Sequence, residues 1–198
     1  MTTVTGYHGT TKEVAADVVA GTMQLRHSIN IGDWLGRGAY FWQDAPYRAL
    51  LWAKFRNKGL PIEVLTADID LQDCLDLFDA VAHKELRRAY PRFLQAEKEI
   101  GIVSSQDELF VTNGKVMTKN DTTPIVERSD PYITYRDRAF IDWYVQEQKK
   151  KGSPIASIRG IFLVGKSLYQ ESFLFNWANA QITVLDGARI SNIRLWSA

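Results

Sequence analysis

The sequence predicts an α+β protein, on three observations. Stretches with helical apolar spacing come first, short alternating or continuous apolar runs dominate the last third, and no internal repeat or low-complexity tract interrupts that order. A chain of 198 residues is short enough for a single hydrophobic core, which commonly serves up to about 200 residues. Residues 1–198 are therefore read as one domain.

Val4 to His8 reads as a strand. Thr10-Thr11-Lys12-Glu13 has capping-box spacing, with Val14, Ala15, Val18 and Val19 as the apolar stripe of the helix that follows and Gly21 as its stop. Gln24 to Gly38 lacks any period and reads as a loop, and long irregular segments are often functional. Ala39 to Trp42 reads as a buried strand. Asp44 then caps a helix with Pro46 in its first turn, Ala49, Leu50, Trp52, Ala53 and Phe55 lining its core side and Gly59 ending it.

Pro61 to Ile69 alternates as a strand does. A helix follows from about Asp79 to Ile100, broken or bent at Pro91. Asp107 to Asp137 mixes turn formers with short apolar runs and gives no clear element. Arg138 to Lys151 reads as a helix with Phe140, Ile141, Tyr144 and Val145 inward and Gly152 beyond its end. Strands are predicted near Ile158 to Val164, Ala180 to Leu185 and Ile193 to Trp196, the first two joined by a polar and aromatic loop from Gly165 to Asn179.

Composition removes several classes. With 45% apolar and 24% charged residues the chain is neither disordered nor fibrous. A formal charge of +1 removes the strongest argument for a general nucleic-acid binder. The basic runs Arg87-Arg88 with Arg92, and Lys149-Lys150-Lys151, read most plainly as solvated helix faces, with an RNA or DNA track as the sharper alternative. The single cysteine, Cys74, excludes an internal disulfide and fits a reducing compartment. His8, His27 and His83 show no metal-ligand spacing. The start lacks a basic and apolar leader, and no stretch is long and apolar enough to span a bilayer, so the expected location is the cytoplasm, away from membranes.

The chemistry is carried by Tyr7-His8-Gly9-Thr10 and by Asp33-Trp34-Leu35-Gly36-Arg37-Gly38-Ala39-Tyr40-Phe41-Trp42. A histidine at the end of one strand and a tyrosine at the start of the next, each beside glycines, suit a flat cationic ring such as nicotinamide. With the late Gln181-Ile182-Thr183-Val184 strand, this order resembles the His-Tyr-Glu branch of the ADP-ribosyltransferase superfamily, which includes diphtheria-toxin-like and poly(ADP-ribose) polymerase-like enzymes. Asp33 to Ala53, Ala67-Asp68-Ile69-Asp70 and Ile158-Arg159-Gly160-Ile161-Phe162 extend it to small stand-alone bacterial members. It is strongest before residue 80 and after residue 157.

The resemblance implies a split, two-sheet antiparallel core with helices packed on it, and NAD as co-substrate with no metal. It implies that His8 donates to a ribose hydroxyl, that Gly9 presents its backbone to the carboxamide with no side chain to block the ring, and that Thr10 belongs to the same motif. Tyr40 would stack on the cationic pyridinium, worth about 0.5 to 2 kcal/mol. Arg37, between Gly36 and Gly38, is the candidate fork for the pyrophosphate, ahead of Arg26 and Lys12. No Walker or GxGxxG pattern is present, so NAD is expected to bind without a Rossmann fold.

Where the family has a glutamate, this chain has Gln181, which positions a hydroxyl but supplies neither full charge nor a general base. Glu171, in the loop that contacts acceptors in the family, is the second choice for a carboxylate, although a solvated residue is its plainer reading. Asn176 and Trp177 are acceptor-binding candidates. The expected activity is transfer of one ADP-ribose to a macromolecule, with a lean to RNA or DNA. The bacterial resemblance implies a toxin of a toxin–antitoxin or anti-phage system, held by an antitoxin protein. Transfer to protein, NAD hydrolysis and ligand binding without turnover are the alternatives.

Overall fold

The computed structural model describes residues 2–28, 33–100, 109–112, 115–118, 132–162, 168–170, 176 and 178–197. Its elements are β1 (Thr3–Thr11), α1 (Lys12–Val19), β2 (Ala39–Gln43), α2 (Pro46–Arg56), β3 (Ile62–Asp70), β4 (Cys74–Asp76) and α3 (Ala80–Ile100). After these come β5 (Leu109–Thr112), β6 (Lys115–Thr118), α4 (Tyr132–Lys150), β7 (Ser157–Phe162), β8 (Asn179–Val184) and β9 (Ile190–Leu195). The α+β class is as expected. Seven strands form one mixed sheet in the order β4-β7-β8-β2-β1-β3-β9, and β5 and β6 form a separate hairpin. Among the described strands, only β4 and β7 pair in parallel.

The described strands therefore bond as one main sheet where two were expected. The join between its halves is narrow: β1 meets β2 through Gly6 opposite Gln43 and Tyr7 opposite Trp42, whereas all of β1, Thr3 to Thr11, pairs with β3. Two backbone pairs suffice to make the sheet continuous, with one further backbone bond from the Asp44 N–H to the Thr5 carbonyl at 3.1 Å. On one face, Phe41, Ala39, Ile182 and Val184 pack in one cluster with Ala67 and Ile69, pooling strands from both sides of the seam. On the other, α3 and α4 bury Ala82, Ala89, Ile141 and Tyr144 against Leu75 and Ile158, while α2 covers Trp42 and Val64.

Local differences from expectation have local causes. Thr11, one residue after Thr10, caps α1, accepting from the Val14 N–H at 3.4 Å, because β1 runs on through Thr11 before the helix begins. Val19 of the expected stripe is exposed. Asp44 sits at φ 51° in the turn before α2 and does not cap it; Ala45 occupies the N-cap. Of the expected inner face of α2, only Ala49 and Ala53 are buried. Pro91 lies within α3, which remains one helix: the proline is on the solvent side, where the lost hydrogen bond is least costly, and Ala89 and Phe93 stay buried beside it. α4 begins at Tyr132, earlier than Arg138, and β4, β5 and β6 were not anticipated.

Candidate functional site

The seam between β1 and β2 is where the two predicted motifs meet. Past the Tyr7–Trp42 pair the ladder ends, and the His8 side chain reaches across: its Nδ1 donates to the Tyr40 carbonyl at 2.8 Å. A carbonyl only accepts, so Nδ1 carries the proton. Burial pushes the His8 pKa down from its ordinary value, against the opposing effect of the Tyr40 bond. The imidazole is therefore neutral near pH 7 and Nε2 is an acceptor. Sequence reasoning gave His8 the role of donor to a ribose hydroxyl; in the structure its Nδ1 proton is engaged by the Tyr40 carbonyl.

Tyr40 is committed at its hydroxyl. The phenol accepts from the Leu35 N–H at 3.0 Å and donates to the Gly36 carbonyl at 2.8 Å, which ties the 33–38 turn to β2. Gly36 takes a left-handed φ of 79° at that turn, a conformation that favours glycine. Burial, reinforced by the charge of Asp33, pushes the Tyr40 hydroxyl well above its usual range, so the phenol stays neutral. Strand alternation sends Tyr40 and Trp42 to the face covered by the longer helices. Phe41 points the other way, and the His8 ring is beside it at 5.7 Å. The imidazole and the phenol thus leave adjacent strands toward opposite faces and are joined through the Tyr40 main chain, so the shared pocket expected of the two side chains is not formed by them: strand alternation places His8 with Phe41 and Tyr40 with Trp42.

Gln181 stands opposite Trp42 in the β2–β8 ladder, so it shares the Tyr40 face. It is buried, and its Oε1 accepts from the Trp34 indole N–H at 2.6 Å. An indole N–H only donates, which fixes the amide orientation and leaves the Gln181 NH2 as the group with donors to offer. The Trp34 ring stacks on Phe162 at 5.5 Å. Gly160, opposite Gln181 in β7, makes room for it: a Cβ there would lie 2.7 Å from the indole.

Gly9 and Gly38 are closely packed, and Arg37 is ion-paired. A Cβ on Gly9 would run into the Ala49 carbonyl and lie 2.9 Å from the Ala53 Cβ; the space expected for a ring is taken by α2. That close approach also explains why the buried stripe of α2 consists of alanines. A Cβ on Gly38 would meet Thr183 Oγ1 and the Val184 carbonyl. Thr10 pairs with Glu63 in the β1–β3 ladder. The backbone N–H of Arg37 donates to Asp142 Oδ1 at 2.8 Å, and its exposed guanidinium lies 3.4 Å from Oδ2. The expected phosphate fork is therefore held by an acid on α4.

Asn176 is exposed. Glu171 and Trp177 lie outside the described residues. Sequence reasoning included Asp33, Trp34 and Gly160 in its motifs but gave none of them a role of its own; the available signal was Gly160, since an isolated glycine in a strand often marks a close approach. Asp33 is a buried carboxylate near enough to act on the Tyr40 hydroxyl. Two surface hollows lie apart from the seam. One, of about 520 Å3, is lined by His83, Lys84, Arg87 and Arg88 on α3; the other, of about 510 Å3, by Cys74, Asp76 and Arg159 at the β4 edge. Among the described residues no cluster of His, Cys, Asp or Glu is placed to hold a metal, and no helix is long and apolar enough to cross a membrane. Compared with protein-family models, with curated proteins and with solved structures, the chain matches none.

Proposed function

We propose that the chain is a mono-ADP-ribosyltransferase that uses NAD, and that the narrow β1–β2 seam is the split of a two-part transferase core. The observation that carries this reading is the bond from His8 Nδ1 to the Tyr40 carbonyl, which links the two motifs where the ladder ends and holds the Tyr40 backbone from the opposite face of the sheet. On the other face, Tyr40 offers its neutral ring to a pyridinium, and the Gln181 amide offers donors to a ribose hydroxyl. In the reaction, the bond from the ribose anomeric carbon to nicotinamide breaks with its electron pair leaving on nicotinamide. A nucleophile of the acceptor then bonds that carbon and gives up its proton.

Gln181 cannot stabilise the developing positive charge as a carboxylate would. We assign that task to Asp33, the buried acid beside Tyr40. In the family that the chain resembles, chain elongation goes with the glutamate that Gln181 replaces, which favours a single transfer here, and the acceptor lean is to RNA or DNA. Nicotinamide release by the wild type, lost in Tyr40→Ala and lowered in kcat more than in KM by Asp33→Asn, is the expected result; no release overturns the transferase reading. Labelled NAD incubated with RNA, DNA and cell protein then identifies the acceptor, and label on protein alone ends the lean.

A second reading has its own support. The Gln181 oxygen is already occupied by Trp34, which suits a module that holds NAD without cleaving it. A thermal shift with NAD and no nicotinamide release would select it. The toxin role, neutralised by a protein partner, predicts growth arrest on expression that His8→Ala relieves.

A further inference from the structure

α2 and the turn after it carry Arg48, Lys54, Arg56 and Lys58, and no acid between Pro46 and Gly59. Because Ala49 and Ala53 make the buried stripe, the bulky side chains face water: Leu51 is 53%, Trp52 46% and Phe55 63% exposed. The Trp52 and Phe55 rings lie 5.9 Å apart. The Arg56 guanidinium stands 5.8 Å from the Trp52 ring, and the Lys58 ammonium 5.8 Å from that of Phe55. Arg48 packs over Trp42, but two neighbouring aromatic rings left in solvent with Arg56 and Lys58 beside them and exposed Lys54 on the same helix are not explained by core packing. The near-zero net charge of the whole chain conceals this local excess.

The arrangement discriminates among occupants. A membrane-surface helix segregates an apolar face from a basic one, but here the cations stand over the rings, and the opposite side of α2 is buried on the sheet. Protein interfaces are depleted in lysine, whereas Lys54 and Lys58 flank this patch. Single-stranded nucleic acid presents bases and phosphates in alternation, which matches rings interleaved with cations. We propose that this face of α2 binds single-stranded nucleic acid, with bases stacked on Trp52 and Phe55 and phosphates neutralised by Lys54, Arg56 and Lys58. In naming the class of acceptor, this rests on the transferase reading. α2 is also the helix seated on Gly9, so a strand held on its outer side runs beside the seam.

The test is fluorescence anisotropy with a labelled oligouridylate on the full chain. The wild type is expected to bind, less tightly as salt rises. Phe55→Ala is expected to weaken binding by about tenfold, the scale of one lost stack. Lys58→Glu is expected to weaken it and to reduce the salt slope by about one. Both residues are exposed, and thermal melting checks that the variants fold. Nicotinamide release without acceptor is expected to be unchanged in both, because neither residue belongs to the seam.

Failure of the wild type to bind, equal binding of a duplex of the same length, or binding indifferent to both substitutions overturns the inference, even if NAD cleavage stands. Binding to phosphatidylglycerol vesicles or to a protein partner in place of the oligonucleotide also overturns it. Strand binding without NAD cleavage leaves the surface standing and removes the transferase reading.

Discussion

Trp34 and Gln181, 147 residues apart, are joined by an indole N–H···O bond of 2.6 Å that holds the amide oxygen on the sheet. Gln181→Glu would place a carboxylate under the same donor, as a charge-assisted bond. The expected outcome is faster nicotinamide release and a lower melting temperature, because a buried charge is desolvated. Gln181→Leu, which leaves the indole N–H unsatisfied, is expected to cost about 1 to 3 kcal/mol, measured by urea unfolding. Glutamate that leaves kcat unchanged would show that charge at 181 does not limit the reaction.

His8 makes stability depend on pH. Its pKa is lowered in the folded chain by burial, so near and below an ordinary histidine pKa of about 6.5 the unfolded chain binds more protons. Stability is expected to fall as pH drops through that value and toward the lower folded pKa, and to be insensitive to this group above it. His8→Phe should flatten this part of the profile in urea titrations.

Tyr40→Phe separates the ring from its hydroxyl. Phenylalanine keeps the ring but leaves the Leu35 N–H without its acceptor, and is expected to destabilise by about 1 to 3 kcal/mol while retaining more NAD affinity than Tyr40→Ala. Equal KM values for wild type and alanine would rule out stacking by this ring.

Arg37 and Asp142 offer a test of the phosphate assignment. If the exposed pair is structural, Arg37→Ala should leave KM for NAD near the wild-type value and cost at most about 1 kcal/mol. Asp142→Ala should do more harm to stability, because that carboxylate also accepts the Arg37 backbone N–H and lies 3.6 Å from Arg138. A large rise in KM for Arg37→Ala would restore Arg37 to the pyrophosphate.

Much of the framework was legible because its signals are local. Alternation in Pro61 to Ile69 located β3, and the residues around Tyr40 located β2. Gly21, Gly59 and Gly152, all left-handed, mark the ends of helices that apolar spacing had already outlined. β4 escaped notice because its three residues form a strand only by pairing with β7, more than 80 positions away in sequence. Trp52 and Phe55 were assigned to the core on spacing alone, but periodicity does not reveal how closely a helix approaches a sheet.

The amino-acid sequence by itself determined the class, the order of most elements and the two motifs, since these follow from side-chain periodicity and from turn residues acting over a few positions. Tertiary structure alone decided that the His8 Nδ1 is bound to the Tyr40 carbonyl, that Arg37 is bound to Asp142, that Gln181 is held by Trp34, and that Gly9 makes room for a helix. Each depends on which groups the fold brings within hydrogen-bond or van der Waals reach across long stretches of chain. No short-range pattern encodes such a distance.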